Sequence, residues 1–385
     1  MNVVELLQGA VRTNDFFFFN AYTGADTRDN FARVAIEFLD APSEELRDFL
    51  ARQVMCCGLA PHAKGTQTAS FGDLLNVTEV LCAYAYKKNR KHLCHSVNTF
   101  LLGLLIYHNL PLLRGQIDNE IENDASLFSG GDVYGEFLFR WRLASLMHDL
   151  GNGVSLFAKD ADEIDRYLFH VMMRAEAHWP KDGQDKLTVE CLVGLARGKN
   201  ALTELDKVDG GLRFRKFFDQ LKQNPYKSIC YDHGLVSALL ILKVIDGMYS
   251  RYDAAESKRI EVDGHGVSFD RGFFDKSVMH AAHAVAIHNL DFYPAKYRPD
   301  WPNRLYDASG HPFAFLLKLA DTLQEWNKLP AKGGTDYIKP EDIVLRFEDN
   351  TLVIEKYPKL DELRQRIDEF FAMENVLTVE FEEPV

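Results

Sequence analysis

The chain has 385 residues, of which 46% are hydrophobic, and its formal net charge at pH 7 is −13. This length predicts one large domain with a smaller unit, and the apolar content is enough for a sizeable core. A protein that grips long nucleic acid non-specifically usually has a basic face, so the acidic balance argues against that role. The tail carries most of the acidity, because residues 341–385 hold 13 acidic and 5 basic side chains.

The cysteines and the apolar segments predict a cytoplasmic protein without a membrane anchor. The six cysteines lie at positions 56, 57, 82, 94, 191 and 230 with no CxxC spacing, which favours reduced thiols over a disulfide framework or a zinc knuckle. The N-terminus lacks the apolar run of a signal peptide, because Glu5 interrupts it. The most apolar run, 100–107, is far shorter than the roughly 20 residues that cross a bilayer.

The first 89 residues are predicted to form a segment of short helices that packs on the core. Apolar side chains recur at helical spacing over 31–38 and over 46–54. The phenylalanine run 16–19 is expected to pack inside, and a further helix is predicted over 73–86.

Two helices with a loop between them are predicted next. Apolar periodicity indicates helices over 93–107 and 133–150, whereas the polar, glycine-containing stretch 114–132 is typical of a loop. Gly151 and Gly153 are expected to end the second helix, because glycine readily takes the left-handed conformation found at helix ends. His148 and Asp149 are therefore placed at the C-terminal end of that helix.

Residues 155–231 are predicted to be an insertion in a large domain that spans 90–330. The insertion contains helical periodicity around 164–177 and a Lys/Arg/Gly-rich passage over 197–227. That passage is either a lid that recognises phosphate or a solvated surface. Helical patterns return after the insertion over 234–249, 273–288 and 312–326.

A small α+β unit is predicted over 338–385. Apolar and polar residues alternate over 343–347 and over 352–354, and Asp349-Asn350 supplies a turn between them, which predicts a β-hairpin. A helix over 360–371 and a strand over 376–381 complete the unit. The fold class is therefore mainly α, with N-terminal helices, a helical bundle and this C-terminal unit.

Several potential metal ligands lie on or at the ends of otherwise apolar helices. Burying imidazoles and carboxylates together is costly unless a cation pairs with them. The adjacent His-Asp pair is informative, because neighbours in mid-helix point apart, whereas at a helix end the chain is already turning. The candidate ligands are His95, His148, Asp149, His233, His288 and Asp321.

Three segments resemble the H…HD…D signature of the HD-domain phosphohydrolases: KHLCHSV at 91–97, ASLMHDLG at 144–151 and LAD at 319–321. The resemblance covers roughly residues 90–327, and it implies an HD-type helical bundle. It also implies that one metal ion is bound by His95, His148, Asp149 and Asp321. The segments DHGLVSA at 232–238 and AIHN at 286–289 are similar to the elements that hold a second ion in some members, which implies His233 and His288 as its ligands with Asp149 as the bridge.

The function implied by this resemblance is hydrolysis of a phosphate ester or anhydride, with a nucleotide as the expected substrate. One or two divalent ions (Mn, Mg, Fe, Ni or Co) would activate a water molecule that Asp149 holds, so Asp149 is the candidate catalytic residue. Candidate contacts to the substrate phosphate are Arg140, Arg142, Asn289 and Lys318. Solvated helix faces are the commoner use of such cationic residues.

Alternatives stay open for the ligands and for the function. His178 is a rival ligand for the second ion, and His280 is either a replacement for His288 or a support for it; His92 is expected to line the pocket. The same ligand set can hold two irons for oxygen-dependent cleavage, as in some relatives of this superfamily. A third hypothesis is a module that senses a nucleotide without turnover. A homo-oligomer is compatible with all three.

Overall fold

The computed structural model describes residues 1–13, 26–59, 92–123, 133–152, 189–195, 198–209, 213–222, 232–254, 259–262, 265–268, 274–293, 304–326 and 338–382. Of these residues 71% are helical, in twelve α-helices, and a small sheet unit accompanies them. The prediction of a mainly α fold with a small α+β unit is confirmed at this level.

The first six helices are α1 (Val3–Thr13), α2 (Asp26–Leu39), α3 (Glu44–Leu59), α4 (His92–Asn109), α5 (Pro111–Asn123) and α6 (Val133–Met147). The next five are α7 (Ala201–Asp209), α8 (Phe214–Lys222), α9 (His233–Ala254), α10 (Met279–Ile287) and α11 (Pro312–Leu323). A short hairpin of β1 (Arg259–Val262) and β2 (His265–Ser268) follows α9, and β3 (Tyr306–Asp307) precedes α11. The C-terminal unit contains β4 (Val344–Glu348), β5 (Thr351–Lys356), α12 (Leu360–Phe370), β6 (Phe371–Ala372) and β7 (Thr378–Phe381).

The centre of the molecule is a bundle of α4, α6, α9, α10 and α11. Helix α4 packs against α3, α6 and α11, while α10 packs against α6, α9 and α11. Every residue from His92 to Tyr107 in α4 is buried, as expected for a helix that is apolar on nearly all sides. The bundle therefore surrounds α4 and leaves its histidines facing the ends of other helices.

Helices α4 and α6 approach each other closely at Gly103. A Cβ atom at this position would collide with the ring of Trp141, so only glycine leaves room for that side chain. The indole Nε1 of Trp141 donates to the carbonyl oxygen of Phe100 at 3.0 Å. This contact places the two helices that carry His95 and His148 side by side.

The loop predicted over 114–132 is wrong in its first part, because α5 continues to Asn123. Leu113, Ile117 and Ile121 are four residues apart and buried, so they form one apolar helix face beneath the polar residues that favoured a loop. Pro111 begins the helix, where a proline needs no backbone donor. Residues 124–132 lie outside the described part of the chain.

The other helix predictions inside the described residues are confirmed apart from their ends. The helix predicted over 133–150 ends at Met147, and the one predicted over 312–326 ends at Leu323. The helix predicted from 273 begins with a π-helical turn, Phe274–Val278, before α10. In α3 the predicted apolar face is only partly buried, since Leu46 and Phe49 are 40% and 56% exposed.

The C-terminal unit has the predicted order of strand, strand, helix and strand. Strands β4 and β5 form the antiparallel hairpin, and Asp349 in its turn has φ 50°. Strand β7 runs parallel to β5, and β6 pairs in parallel with β3, which precedes α11. The unit is thereby joined to the helical bundle through the strand pair β3–β6.

Several sequence predictions fall outside the described residues: the phenylalanine run 16–19, the helix over 73–86, the periodicity around 164–177, and Gly153. Within 155–231 the described parts include α7 and α8, and α7 packs against α10. Phe214 and Phe217 of α8 are buried, so this part of the predicted insertion contributes to the core.

No single described helix is long and apolar enough to cross a membrane. Helices α4 and α5 pass that test only as a pair, and they meet at an angle of 101°.

Candidate metal centre

The candidate ligands converge because they lie near the ends of the central helices. His95 is in the first turn of α4, His148 and Asp149 follow the last residue of α6, and Asp321 is in the last turn of α11. His233 is the first residue of α9, and His288 immediately follows α10. The structure therefore brings all six candidate ligands from five helices to one region.

The turn after α6 is held against the start of α9 at Gly151. The amide of Gly151 donates to Ser237 Oγ at 2.7 Å, and a Cβ atom at Gly151 would collide with the carbonyl oxygen of His233. The expectation of a left-handed glycine here is wrong, since Gly198 is the only glycine with positive φ among the described residues. Gly151 is needed because α6 and α9 approach closely, and the approach positions His148 and Asp149 next to His233.

One group of ligand atoms lies between α4, α6 and α11. His95 Nε2 is 3.1 Å from His148 Nε2 and 3.0 Å from Asp321 Oδ1. Asp149 Oδ2 is 3.7 Å from each of the two histidine Nε2 atoms. One ligand atom from each of His95, His148 and Asp321 lies within 4.8 Å of the others, so these residues can hold a metal ion.

A second group shares His148 and extends towards α9 and α10. Ligand atoms of His148, Asp149 and His288 lie within 4.8 Å of one another. His233 Nε2 is 3.5 Å from Asp149 Oδ1, the carboxylate oxygen that faces away from His95. The rings of His233 and His148 each lie 5.1 Å from the ring of His288. Asp149 thus has one oxygen directed to each group.

The protonation of three histidines is determined by acceptors behind them. Nδ1 of His148 donates to the carbonyl oxygen of Ser145 at 2.8 Å, and Nδ1 of His288 donates to that of Val285 at 2.6 Å. Nδ1 of His95 donates to Oε1 of Gln324. In each ring, when it is neutral, the proton is therefore on Nδ1, and Nε2 is the atom that faces the cluster, as metal-binding imidazoles require.

The orientation of the Gln324 amide is itself determined. Its Nε2 donates to the carbonyl oxygen of Trp326 at 2.7 Å, so its Oε1 must face His95. Gln324 is fully buried directly after α11. The sequence alone did not identify Gln324, although its position three residues after Asp321 is a signal that could have found it.

The electrostatics of the cluster favour a cation. Burial alone lowers the pKa of His148, but Asp149 and Asp321 outweigh burial and raise it. Burial alone raises the pKa of Asp149, but His148, His92 and His95 hold it well below its usual range. Burial, together with His233 and His148, lowers the pKa of His288 to about 3, so that imidazole is neutral at pH 7.

His92 supports the cluster from α4. Its Nδ1 lies 3.0 Å from Asp149 Oδ2 and 3.4 Å from the side-chain nitrogen Nδ2 of Asn152. The sequence placed His92 in the pocket, and the structure identifies Asp149 as its contact there. His92 orients the carboxylate that lies between the two groups of ligand atoms.

The four candidate phosphate contacts have protein partners of their own. Arg140 is fully buried and its Nε donates to Glu136 at 2.6 Å, while Arg142 donates to the carbonyl oxygen of Leu138 at 3.2 Å. Asn289 donates to Asp232 at 2.7 Å, beside the start of α9. Their part in substrate binding stays a prediction.

Lys318 is 1% exposed and lies between two carboxylates. Its Nζ is 2.9 Å from Asp291 Oδ1 and 3.8 Å from Asp321 Oδ2. Burial lowers the pKa of Lys318, and Asp291 opposes that effect. Lys318 therefore lies beside the candidate metal ligand Asp321 and is almost completely shielded from solvent.

The structure tests only one of the two alternative ligands, His178 and His280. His178 lies outside the described residues. His280 is not brought to the cluster, since its Nδ1 faces Glu120 of α5 at 3.3 Å.

No family model, no curated protein and no solved structure matches the chain. These comparisons identify no family for the chain.

Proposed function

We propose that the protein is a metal-dependent phosphohydrolase of the HD type, acting on a phosphate ester or anhydride with a nucleotide as the substrate class. Two facts support the proposal: the candidate ligands follow the order of the H…HD…D signature along the chain, and their side chains lie together in space. His95, His148, Asp149 and Asp321 would hold one divalent ion, and Asp149, His233 and His288 would hold a second. The ion would be one of Mn, Mg, Fe, Ni or Co, all of which accept imidazole or carboxylate ligands.

One observation carries the proposal: two imidazole lone pairs face each other across 3.1 Å. His95 and His148 both commit their Nδ1 protons to acceptors behind them, so neither neutral ring has a proton to place between the two Nε2 atoms. Asp321 and Asp149 add two negative charges to the same space. A single added proton relieves only one of the unfavourable contacts in this space. A divalent ion, in contrast, accepts both lone pairs and neutralises the negative charge of the carboxylates.

The residues of the chain have distinct tasks in this proposal. A bound divalent ion lowers the pKa of a coordinated water towards neutrality and neutralises phosphoryl oxygens. Asp149 offers one carboxylate oxygen to each ligand group, and His92 holds it in that orientation. The neutral imidazole of His288 is ready to bind without releasing a proton at pH 7. Solvent and substrate enter where Asp321 and His233 are 18% and 20% exposed.

The test compares the unaltered chain with Asp149→Asn, which keeps the shape of the side chain but removes its charge. Bound metal is counted by mass spectrometry after loading with Mn²⁺, Fe²⁺ or Co²⁺, and phosphate release is screened over a nucleotide panel. We expect the variant to lose metal affinity and turnover by more than about a hundredfold, since even outer partners of ligands cost 10–100-fold. Asp361→Asn, an exposed position on α12, serves as the matched control.

Unchanged metal content and activity in Asp149→Asn would exclude the proposed site. Oxygen consumption with reduced iron, in the absence of phosphate release, would instead support the di-iron oxygenase alternative. Tight nucleotide binding without hydrolysis across the metal panel would support the sensing module.

A further inference from the structure

The C-terminal unit contacts the end of α11 that carries Asp321. Tyr357, which follows β5, is buried and its hydroxyl donates to the carbonyl oxygen of Thr322 at 3.3 Å. From α12 of the same unit, Arg366 donates through Nη2 and Nε to Asp291 Oδ2, at 2.6 and 3.0 Å. The unit therefore packs beside the cluster of candidate ligands.

Asp291 holds Arg366 in place from inside the protein. Its side chain is 4% exposed, and its second oxygen accepts from Lys318 Nζ at 2.9 Å and from the Tyr306 hydroxyl at 2.8 Å. The Tyr306 hydroxyl also lies 3.0 Å from the carbonyl oxygen of His288. With four donors on one carboxylate, neither Asp291 nor the guanidinium it binds is free to change position.

The network places two cations on the carboxylate of Asp291. These cations are Lys318 and Arg366, and Lys318 also has the carboxylate of Asp321 beside it. Lys318 lies 3.8 Å from Asp321 Oδ2 and is only 1% exposed, so it is the buried end of the network. Arg366 is the exposed end of the network, with 36% of its side chain accessible.

Arg366 retains donor capacity that the described residues do not use. Its Nε and Nη2 bind Asp291, whereas Nη1 has no hydrogen bond to any residue that the structure describes. A guanidinium fixed on one edge and open on the other is suited to a planar, charge-assisted contact with a phosphate oxygen. Because the side chain is already immobilised, binding an anion costs little additional conformational entropy.

We propose that Arg366 is a substrate-binding residue, supplied by the C-terminal unit, which binds a phosphate oxygen of the anion whose reacting phosphate lies at the metal cluster. The inference rests on the proposed function and extends it, because it makes the C-terminal unit part of the active site. It also gives a role to the buried Asp291–Lys318 pair beside Asp321, because the pair holds the guanidinium in position.

The test measures equilibrium binding of inorganic phosphate to the full chain, once with Mn²⁺ and once with a chelator, at constant ionic strength. Arg366→Gln removes the charge, and Arg366→Lys keeps the ion pair with Asp291 but removes the fork. Arg364→Gln is the matched control, because Arg364 lies on the same helix with its guanidinium over the ring of Phe381. Mn²⁺ affinity and the melting temperature are recorded for every variant.

We expect the dissociation constant for phosphate to rise at least about tenfold in both Arg366 variants. Mn²⁺ affinity should stay within about twofold, because Arg366 is not a ligand, and the control should bind phosphate as the unaltered chain does. With a nucleotide substrate the same variants should raise KM more than they lower kcat. Arg366→Lys keeps the test valid if Arg366→Gln fails to fold.

Unchanged phosphate binding in folded Arg366→Lys, or no phosphate binding by the unaltered chain, would overturn the inference. An equal loss in Arg364→Gln would overturn it too, because the effect would then be one of general charge. A failure of the proposed function can be distinguished from a failure of this inference. In that case the chain would bind no Mn²⁺ and would release no phosphate from nucleotides, but inorganic phosphate would still bind in the presence of the chelator, and this binding would still depend on Arg366.

Discussion

At the scale of single residues, the candidate metal centre depends on what lies behind each imidazole. His148 and His288 use backbone carbonyls three residues earlier, so these contacts follow from the local helix end. His95 uses Gln324, which is 229 positions away along the chain. The first two imidazoles are oriented by their own helices, whereas the third depends on the docking of α11 onto α4.

The replacement Gln324→Leu tests this orientation. It removes the acceptor for His95 Nδ1, so the ring can rotate or move its proton to Nε2, where it blocks metal binding. We expect Mn²⁺ affinity to fall about 10–100-fold, as for other partners that orient a metal-binding histidine. Isothermal titration of Mn²⁺ measures the loss, with Gln365→Leu on exposed α12 as control. Equal affinities for both variants would show that Gln324 has no part in orienting His95.

Asp291 is expected to contribute stability that depends on pH. Burial alone raises its pKa, but Lys318 and Arg366 outweigh burial and lower it. Because the folded-state pKa is lower than the unfolded value of about 3.9, the stabilisation is complete above that value. It is lost as the pH falls below about 4 towards the folded-state pKa.

The replacement Asp291→Asn should therefore have two effects. At pH 7 the free energy of unfolding should fall by about 3–5 kcal/mol, because Lys318 stays buried without its nearest counter-charge, which lies 2.9 Å away. Below about pH 4 the variant should lose less further stability than the unaltered chain. Urea denaturation followed by circular dichroism over pH 2–7 measures both, and parallel curves for the two proteins would contradict the assignment.

At the scale of elements, the approach of α6 to α9 brings the two ligand groups together. Gly151 is the point of contact, and Gly234 makes a similar approach to α10, where a Cβ atom would meet the carbonyl oxygen of Val285 at 2.8 Å. Gly234 directly follows His233 along the chain, and Gly151 is two residues after Asp149. The absence of a Cβ atom at these two positions therefore allows the helices that carry the site to approach each other.

The replacement Gly151→Ala should separate α6 from α9. The added methyl group meets backbone atoms of His233 and Ser237, which have little room to move, so we expect a loss of about 1–3 kcal/mol in unfolding free energy. Mn²⁺ affinity should also fall, because Asp149 moves away from His233. Gly115→Ala in α5 is the control: nothing lies within 4 Å of its new Cβ, so it should stabilise the helix by about 0.5–1 kcal/mol. Equal effects of the two replacements would contradict the role of the contact.

At the scale of the whole molecule, metal binding and folding should be coupled. The cluster takes ligands from five helices, so an unfolded chain cannot reproduce it. A metal concentration of 100 times the dissociation constant should stabilise the folded chain by about 2.7 kcal/mol.

Thermal denaturation with Mn²⁺ and with a chelator measures this coupling. The melting temperature of the unaltered chain should rise by a few degrees with Mn²⁺. Asp149→Asn should show almost no rise, while the exposed Asp361→Asn variant should respond as the unaltered chain does. A rise in Asp149→Asn equal to that of the unaltered chain would locate the metal elsewhere.

The sequence by itself determined the helical class, the C-terminal order of strands and helix, and the six candidate ligands. These depend on local signals: apolar periodicity, turn residues, and histidines or aspartates at the ends of apolar helices. The same local reasoning missed α5, because its polar residues outweighed three apolar residues spaced four apart. It also gave Gly151 a conformational role, although the neighbouring helix is what requires glycine there.

Only the tertiary structure decided which side chains support the ligands. Gln324 contacts His95, and both Arg366 and Lys318 contact Asp291. The two residues of each pair are far apart in sequence, and no periodicity or spacing along the chain links them. Their partners are chosen by the packing of whole helices and of the C-terminal unit. The ligand types were thus visible in the chain, but their proton positions and the charge around them follow from contacts that exist only after the helices have packed.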